Sequence, residues 1–338
     1  MKGYTISIFE GNGCEIGFQL GRSVKGRFEV MITQYLNMVD AVYPLDYGRM
    51  KREALDWLLS LPEEYLNEID SLSYGSGVKL ERIAVYYYSN RFITESCTGF
   101  VAWHDGNIWV GRNHDAVGPN LWRHIHVIRK EECIPVVLFG QEGDLFSGTG
   151  YNEKRLWLHY HTLPEGEKTP PDKGLPPYVF LRMALEKCNT LNDVENMLKT
   201  YSRDSAMLLF AVDGRTNGYG VYECAHKGYM KRAMAMHYIA GANHTLLYKG
   251  RMPKNGSSHQ RQAKMEHCLK SNPITDPLSD FRAILADPEI EQNNGLRGTV
   301  YAAIACPALG LCTYACNGFP AASMAPFEEV IIPDRSQA

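Results

Sequence analysis

The chain has 338 residues, 35 basic and 38 acidic side chains, and a formal net charge of −3. This length suffices for one large domain or two smaller ones with a full hydrophobic core. The near balance of charge excludes the basic surface that binding to nucleic acid or to an anionic membrane requires. Hydrophobic residues make up 45% and charged residues 22% of the chain, which is typical of a globular protein and not of a disordered one.

The predicted elements begin with a short strand, Tyr4–Ile8, and a glycine-rich turn that leads into a helix. The glycines at positions 11, 13 and 17 resemble a nucleotide-binding loop. No second strand ending in an acidic residue follows, so the turn is interpreted as a helix start. Further helical periodicity fills the chain to about residue 90, and the predicted segments are 28–38, 50–61, 62–72 and 80–89.

From Cys97 onward the pattern changes to alternating apolar residues, which predicts strands. The predicted strands are 98–103, 108–112, 124–129, 135–139, 155–161, 206–213, 219–225, 238–242, 299–306 and 311–315. Helices are predicted at 178–187, 191–201 and 257–269. The segment Gly298–Phe327 carries no charge, but its prolines and glycines favour two buried strands around a turn over a membrane span.

Nine cysteines occur without any Cys-x-x-Cys pair. This usage indicates reduced thiols and a cytoplasmic protein, and the first residues lack a secretory signal. Cys306, Cys312 and Cys316 are interpreted as buried thiols because their spacing fits no common zinc site, so no metal is expected. Two alternating histidine pairs, at 124 and 126 and at 159 and 161, are interpreted as surface or pocket side chains.

A hairpin is predicted around Asp105-Gly106, the strongest short-range turn signal between alternating strands. This turn pairs Gly99 with Arg112 and Cys97 with His114. Opposed residues share one face of an antiparallel pair, so the Arg112 and His114 side chains should lie beside the Cys97 thiol.

A neighbouring guanidinium lowers the pKa of a thiol and favours the reactive thiolate. Asp115 should point to the opposite face unless the strand ends or bulges there. On these residues alone, Cys97 is either a nucleophile or a small buried residue.

With these residues in view, the chain resembles the isopenicillin N acyltransferase (acyl-CoA:6-aminopenicillanic acid acyltransferase) family of N-terminal-nucleophile (Ntn) hydrolases. More distantly it is similar to penicillin V acylase and bile salt hydrolase. The resemblance extends over nearly the whole length. The matching segments are Glu15–Gly21, Cys97-Thr98, Gly111–Asp115, Gly148–Glu153, Tyr178–Arg182, Asn243-His244, Ser257-Ser258 with Arg261, and Asn317–Pro320.

The resemblance implies an α+β fold, a four-layer αββα sandwich of two antiparallel sheets between helical layers. It also implies a precursor that cuts itself between Ser96 and Cys97. The products would be a mostly helical α chain, residues 1–96, and a β chain, residues 97–338, within one integrated fold. Ser96 stands where the acyltransferase has glycine.

In this family the freed nucleophile supplies both a thiol and, as its own α-amino group, the base. The resemblance implies that Cys97 is the nucleophile, Asp115 orients its amine, Asn243 donates to the oxyanion, and Arg112 and Arg297 belong to the catalytic set. Residues implied to lie in or near the pocket are His114, Thr98, Asn113, Asn152 and His244. His114 replaces a larger apolar residue of the family, and it either tunes the thiol or is a bystander.

The sequence therefore predicts a self-processing cysteine amidohydrolase or acyltransferase that forms a thioester on Cys97 with a small acyl amide. One alternative is a true acyl-CoA-dependent N-acyltransferase, and another is an unprocessed, non-catalytic binder of an acylated small molecule. No cofactor is expected, and acyl-CoA would enter only as a substrate. The expected partners are the small-molecule substrate and the α and β fragments of one precursor, with a homo-oligomer left open.

Overall fold

The computed structural model describes residues 2–93, 97–163, 174–234, 236–248, 257–271 and 273–332. Ser96, the residue before the expected cut, lies outside these ranges. The strands in chain order are β1 (Thr5–Gly11), β2 (Thr98–His104), β3 (Asn107–Val117), β4 (His124–Lys130), β5 (Val136–Gly140), β6 (Thr149–Asn152), β7 (Leu156–Thr162), β8 (Met207–Asp213), β9 (Gly218–Cys224), β10 (Tyr229–Lys231), β11 (Tyr238–Gly241), β12 (Arg297–Cys306), β13 (Leu311–Ala315) and β14 (Glu328–Glu329). The helices are α1 (Gly13–Ser23), α2 (Phe28–Val42), α3 (Tyr47–Leu59), α4 (Glu63–Ser76), α5 (Leu80–Ser89), α6 (Pro177–Lys187), α7 (Leu191–Thr200), α8 (Ser258–Ser271), α9 (Pro277–Leu285) and α10 (Ala321–Met324).

The strands form two sheets. Sheet 1 has the order β1-β4-β5-β6-β7-β8-β9-β10, and sheet 2 has the order β11-β2-β3-β12-β13-β14. The pairing is antiparallel except between β1 and β4, which run parallel. The two strands are separated in sequence by α1 to α5 and the β2–β3 hairpin, a connection long enough for a parallel crossover.

Two apolar layers show how the sheets are stacked. Val101 and Val110 of sheet 2 share a core with Leu158 and Phe210 of sheet 1. On its other face, sheet 2 packs Phe100 and Trp109 against Phe281 of α9. Helices α1, α6 and α7 cover the outer face of sheet 1, and α8, α9 and α10 cover sheet 2. The predicted arrangement of two sheets between helical layers is confirmed.

The glycine-rich segment near the start is a helix contact. Asn12 caps α1 with a reciprocal hydrogen-bond pair to Glu15. A Cβ at Gly17 would lie 2.0 Å from the backbone oxygen of Glu68, so the glycine lets α1 approach α4 closely. This contact accounts for the glycine spacing without a nucleotide.

The β2–β3 hairpin has the predicted register. Asp105 and Gly106 both have positive φ, +45° and +74°, as a type I′ turn requires. Gly99 pairs with Arg112 as expected. The uncharged segment near the C-terminus forms the buried strands β12 and β13 around a turn at Pro307–Leu309. Within the described ranges, no helix combines the length and apolarity needed to cross a membrane.

Candidate active site

Cys97 lies directly before β2 and between two other strands. Residue pairs of β2 and β3 sum to 211, and those of β2 and β11 sum to 340. Continued beyond the paired residues, by one step for β3 and by two steps for β11, these registers bring His114 to one side of Cys97 and Asn243 to the other. Cys97 is fully buried, and its Sγ lies 3.7 Å from His114 Nδ1.

Arg112 supplies a buried positive charge beside the sulfur. One Nη atom donates to the backbone oxygens of Gly148 and Tyr160, both at 2.8 Å. The other Nη lies 3.7 Å from Cys97 Sγ and 2.7 Å from His114 Nδ1. The two carbonyls fix the guanidinium, so the other end is held toward the sulfur and can stabilise it electrostatically as a thiolate.

His114 is a neutral side chain in this setting. Burial, and then the charge of Arg112, holds the pKa of His114 well below its ordinary value. Because the guanidinium is a donor only, Nδ1 accepts and the ring proton is assigned to Nε2. The ring stacks on Tyr301, with centroids 4.5 Å apart, and meets Trp122 edge-on. His114 Nδ1 therefore accepts from Arg112 and faces the thiol 3.7 Å away.

Asp115 is also fully buried. Thr299 donates to Oδ1 over 2.7 Å, whereas Oδ2 has no hydrogen-bond partner among the described residues. Burial raises the pKa of Asp115 to about 6, against the opposing effects of Arg261, the Thr299 hydrogen bond and Arg297. The neighbouring strand β12 bulges here, between Thr299 and Tyr301. The bulge pairs Asp115 with Thr299 and His114 with Tyr301, so the partners of these consecutive residues are two positions apart.

Arg261 connects Cys97 to the neighbouring loop, a role that the sequence did not assign. From α8, one Nη donates to the backbone oxygen of Cys97 at 2.9 Å and the other to Asn243 Oδ1 at 3.2 Å. Burial lowers the pKa of Arg261, while Asp115 and Cys97 act to raise it. The sequence offered one indication of this role, because Arg261 belongs, with Ser257-Ser258, to the segments that resemble the family.

The loop that carries Asn243 is held by a buried ion pair. Glu223 accepts from Arg232 at 2.7 Å and also from three consecutive backbone N–H groups, of residues 246 to 248. Arg232 in turn donates to the backbone oxygen of His244 at 3.0 Å. Asn243 Nδ2 donates to the oxygen of Thr162 at 2.8 Å. One of the two amide hydrogens of Asn243 is thus engaged with sheet 1.

The other predicted residues are divided between the site and the scaffold. The guanidinium of Arg297 lies over the ring of Tyr43, and its charge acts on Asp115. His244 is buried with Nδ1 2.7 Å from Ser258 Oγ, next to Asn243.

Asn152, Asn113 and Thr98, which the resemblance places in or near the pocket, contact the surrounding scaffold. Asn152 Nδ2 donates to the carbonyls of Leu185 and Cys188, and so caps the C-terminal end of α6. Asn113 Nδ2 donates to the oxygen of Leu285 in α9, on the outer face of sheet 2. Thr98 pairs with Asn113 in the same ladder and is fully buried.

His159 and His161, expected at the surface or in a pocket, are fully buried beneath Gly99. A Cβ at Gly99 would lie 3.0 Å from His159 Nε2 and 3.1 Å from His161 Nε2. Burial, and then the charge of Arg112, holds the pKa of both histidines well below the ordinary value. They are neutral polar groups packed between the sheets.

Two adjoining cavities lie near the site, and His114 lines the smaller one. The larger, about 180 Å³, is lined by residues that follow α5, end β7, begin α6 and precede β8, including Asn90, Ile93, Thr162, Pro177 and Asp204. The smaller, about 50 Å³, includes His114 and Gly148 in its lining and is here called the tyrosine cavity. Asn90, Tyr160, Thr162 and Tyr178 line both. A ligand reaching the sulfur from this side would meet α5 and the 141–148 loop.

Two stacked sheets between helical layers, with a buried cysteine at the head of the first strand of one sheet, define an enzyme of the Ntn-hydrolase class. A family model described as acyl-coenzyme A:6-aminopenicillanic acid acyl-transferase matches residues 102–307. The match covers more than half of the chain, and the chain belongs to this family. The matched segment starts just after Cys97 and includes Arg112, Asp115 and Asn243. The predicted relationship is confirmed.

Solved structures with a similar arrangement come from three enzymes. A mutant of the conjugated bile acid hydrolase from Clostridium perfringens is 14% identical with a TM-score of 0.47, covering 70% of this chain and 97% of its own. The N-acylethanolamine-hydrolyzing acid amidase ortholog of Caenorhabditis elegans is 14% identical with a TM-score of 0.48, covering 63% and 94%. Penicillin V acylase from Agrobacterium tumefaciens is 12% identical with a TM-score of 0.48, covering 65% and 83%. These values carry no inference about substrate. No curated protein matches the sequence.

Proposed function

We propose that the protein is a self-processing amidohydrolase that transfers the acyl group of a small amide to the thiol of Cys97. The observation that carries this proposal is the surroundings of the sulfur. Arg112 and His114 lie within hydrogen-bond reach of Sγ, while Arg261 links the Cys97 carbonyl to Asn243.

In the mature enzyme the freed α-amino group of Cys97 serves as base. Its ordinary pKa, about 7.7–8.0, suits proton transfer near neutral pH. The amine takes the thiol proton as sulfur bonds to the amide carbonyl carbon, and the proton passes to the leaving nitrogen as the C–N bond breaks. Water then attacks the thioester, releasing the carboxylic acid and regenerating the thiol. Arg112 stabilises negative charge on sulfur in both steps.

Asp115 and Asn243 complete the proposed set. Asp115 Oδ2 is a buried acceptor without a hydrogen-bond partner in the described part of the chain, which supports a role in holding the new amine. Asn243 has one amide hydrogen left after its bond to Thr162, and that hydrogen would donate to the oxyanion. Loss of one such donor costs about 10²–10³ in rate. Arg297 would act through its charge on Asp115.

Maturation would use the same thiol. Cys97 Sγ would attack the Ser96 carbonyl, the Ser96–Cys97 amide would become a thioester, and hydrolysis would leave chains of residues 1–96 and 97–338. Glu68 and Arg182 support continued association of the two chains. They are fully buried and come from opposite sides of the cut, and an Nη atom of Arg182 lies 2.7 Å from Glu68 Oε1.

A second candidate is acyl transfer to an amine instead of water, which the description of the matching family favours. The chemistry up to the acyl-enzyme is identical, with acyl-CoA as the donor. No cofactor is required for either reaction. A reduced thiol is needed in both, and no disulfide joins any of the nine cysteines. We therefore place the enzyme in the cytoplasm.

Intact-mass spectrometry of freshly purified protein tests the proposal. The wild type should give two fragments that meet at Ser96–Cys97, and the larger should gain one acyl group when incubated with an activated acyl amide or acyl-CoA. Cys97→Ala should remain one unacylated chain. The matched control Cys133→Ala, a partly exposed cysteine elsewhere, should behave as wild type. A wild-type chain that is never cut and never acylated would refute the proposal and favour a binding protein.

A further inference from the structure

The tyrosine cavity has an unusual composition for a site that is expected to hold an acyl group. Six aromatic residues line it: Tyr86, Tyr87, Trp122, Phe146, Tyr160 and Tyr178. One carboxylate, Asp144, also lines it, and neither lysine nor arginine is among its described lining residues. His114, another lining residue, is held neutral by burial and by Arg112, which keep its pKa well below the ordinary value. Asp144 is therefore the one side chain among the described lining residues that can carry a charge near neutral pH.

Asp144 is buried in the 141–148 loop and is positioned by neutral groups. Tyr86 donates its hydroxyl to Oδ1 at 2.5 Å, and the backbone N–H of Gln141 donates to Oδ2 at 3.3 Å. No salt bridge to Asp144 occurs within the described residues. Burial raises the pKa of Asp144 to about 7, and the hydrogen bonds from Tyr86 and Gln141 only partly oppose this effect. A buried carboxylate that is held only by neutral donors is stabilised most strongly by a ligand that carries a positive charge.

Aromatic rings around a carboxylate form a favourable environment for an ammonium group. The rings contribute cation–π attraction and exclude water, and the carboxylate accepts the N–H bonds. A volume of about 50 Å³ accommodates an aminomethyl-sized group, since one water requires about 10–15 Å³ by the same measure. The cavity also borders His114, which is 3.7 Å from the sulfur. A bound ammonium would thus belong to the molecule whose amide reaches Cys97.

We propose that the tyrosine cavity binds a primary ammonium group carried by the substrate, with Asp144 as the specificity-determining residue. This inference rests on the proposed function, because it assigns the cavity to the substrate of Cys97. The ammonium can be carried on the acyl side or on the leaving-amine side of the scissile amide. Both sources present the same group to Asp144, and they are distinguished by experiment.

Binding is measured first, without catalysis. In Cys97→Ala near pH 8, titration calorimetry compares n-alkylammonium ions with the alcohols of the same length. The ammonium should bind about 10- to 100-fold more tightly, as expected for a charge-assisted hydrogen bond. This preference should disappear in Cys97→Ala/Asp144→Asn and persist in Cys97→Ala/Glu142→Gln. Glu142 is the matched control because it is in the same loop but pairs with Arg27.

Measurements of turnover then identify whether the ammonium is carried on the acyl side or on the leaving-amine side of the amide. One substrate series carries ω-amino groups on acyl chains of increasing length, and another carries them on the leaving amine. Each compound is compared with its unsubstituted counterpart by kcat/KM. The series that matches the site should show a preference of about tenfold or more for the amine, which Asp144→Asn abolishes. An amine preference that survives in Asp144→Asn, or its absence from both series, overturns the inference.

The two proposals fail in distinguishable ways. If no amide acylates Cys97, the proposed function fails, whereas alkylammonium binding to Cys97→Ala still decides whether the cavity binds ammonium. If acylation occurs without ammonium preference, only the inference about Asp144 fails. Should Asp144→Asn not fold, as judged by circular dichroism, equal affinity of the folded Cys97→Ala protein for ammonium and alcohol would overturn the inference by itself.

Discussion

Replacing Asp144 with asparagine should change how the stability of the protein depends on pH. Burial raises the pKa of this carboxyl from 3.8 to about 7 in the folded chain. Between those two values the folded protein binds more protons than the unfolded chain. Stability contributed by the protonated carboxyl is therefore lost as pH rises toward 7. Asparagine has the same shape and no titration, so the variant does not show this loss.

The magnitude follows from the two pKa values. The shift of about three units corresponds to about 4 kcal/mol once the carboxyl is fully ionised, at about 1.4 kcal/mol per unit. Integrated between pH 5 and pH 8, the loss is about 2.5 kcal/mol. The free energy of unfolding of Asp144→Asn, relative to the parent, should increase by this amount over the same interval. All other titrating groups are shared by the two proteins and cancel.

Urea unfolding at several pH values measures the difference, with Cys97→Ala as the parent so that each chain remains covalently continuous. Glu142→Gln is the control. Burial acts to raise the pKa of Glu142, but the hydrogen bond from Arg27 and the charges of His124 and Arg27 together outweigh it and hold the pKa below 4.5. Its titration falls below pH 5, and its stability difference should stay nearly flat. A flat difference for Asp144→Asn as well would refute the assignment of a buried, cation-free carboxyl.

Three further changes test other parts of the structure. Glu68→Gln should lower the free energy of unfolding by about 3 kcal/mol in chemical denaturation, because it leaves Arg182 with less compensation in a fully buried ion pair; a loss under about 1 kcal/mol would contradict this. Thr299→Val removes a hydrogen bond that lowers the pKa of Asp115. The rise of the acylation rate on the acidic side of its pH profile should therefore move to higher pH, and an unchanged profile would count against a role for Asp115. Gly17→Ala introduces a Cβ 2.0 Å from a backbone oxygen of α4 and should cost about 1–3 kcal/mol as a lower melting temperature, whereas an unchanged melting temperature would show that α1 and α4 separate easily.

The local sequence pattern was sufficient to predict the structure where residues that are close in sequence are also close in space. The Asp105-Gly106 turn determines the register of β2 and β3, and this register alone places Arg112 and His114 beside Cys97. The pairing of β12 with β13 in the uncharged segment Gly298–Phe327 was predicted for the same reason, because a short turn joins the two strands. Short elements with weak periodicity were missed: β6 contains only four residues including a glycine, and α10 only four.

Contacts between distant segments could not be derived in this way. Arg261 reaches Cys97 across 164 positions of sequence, and Tyr86 reaches Asp144 across 58. Asn152 matched a family segment, yet the fold uses it to cap α6. Side-chain alternation determines which face a strand residue occupies, whereas the stacking of two sheets and the packing of helices on them determine what lies opposite that face. The sequence by itself placed Arg112 and His114 beside Cys97, and only the tertiary structure decided which distant arginine, loop and carboxylate surround them.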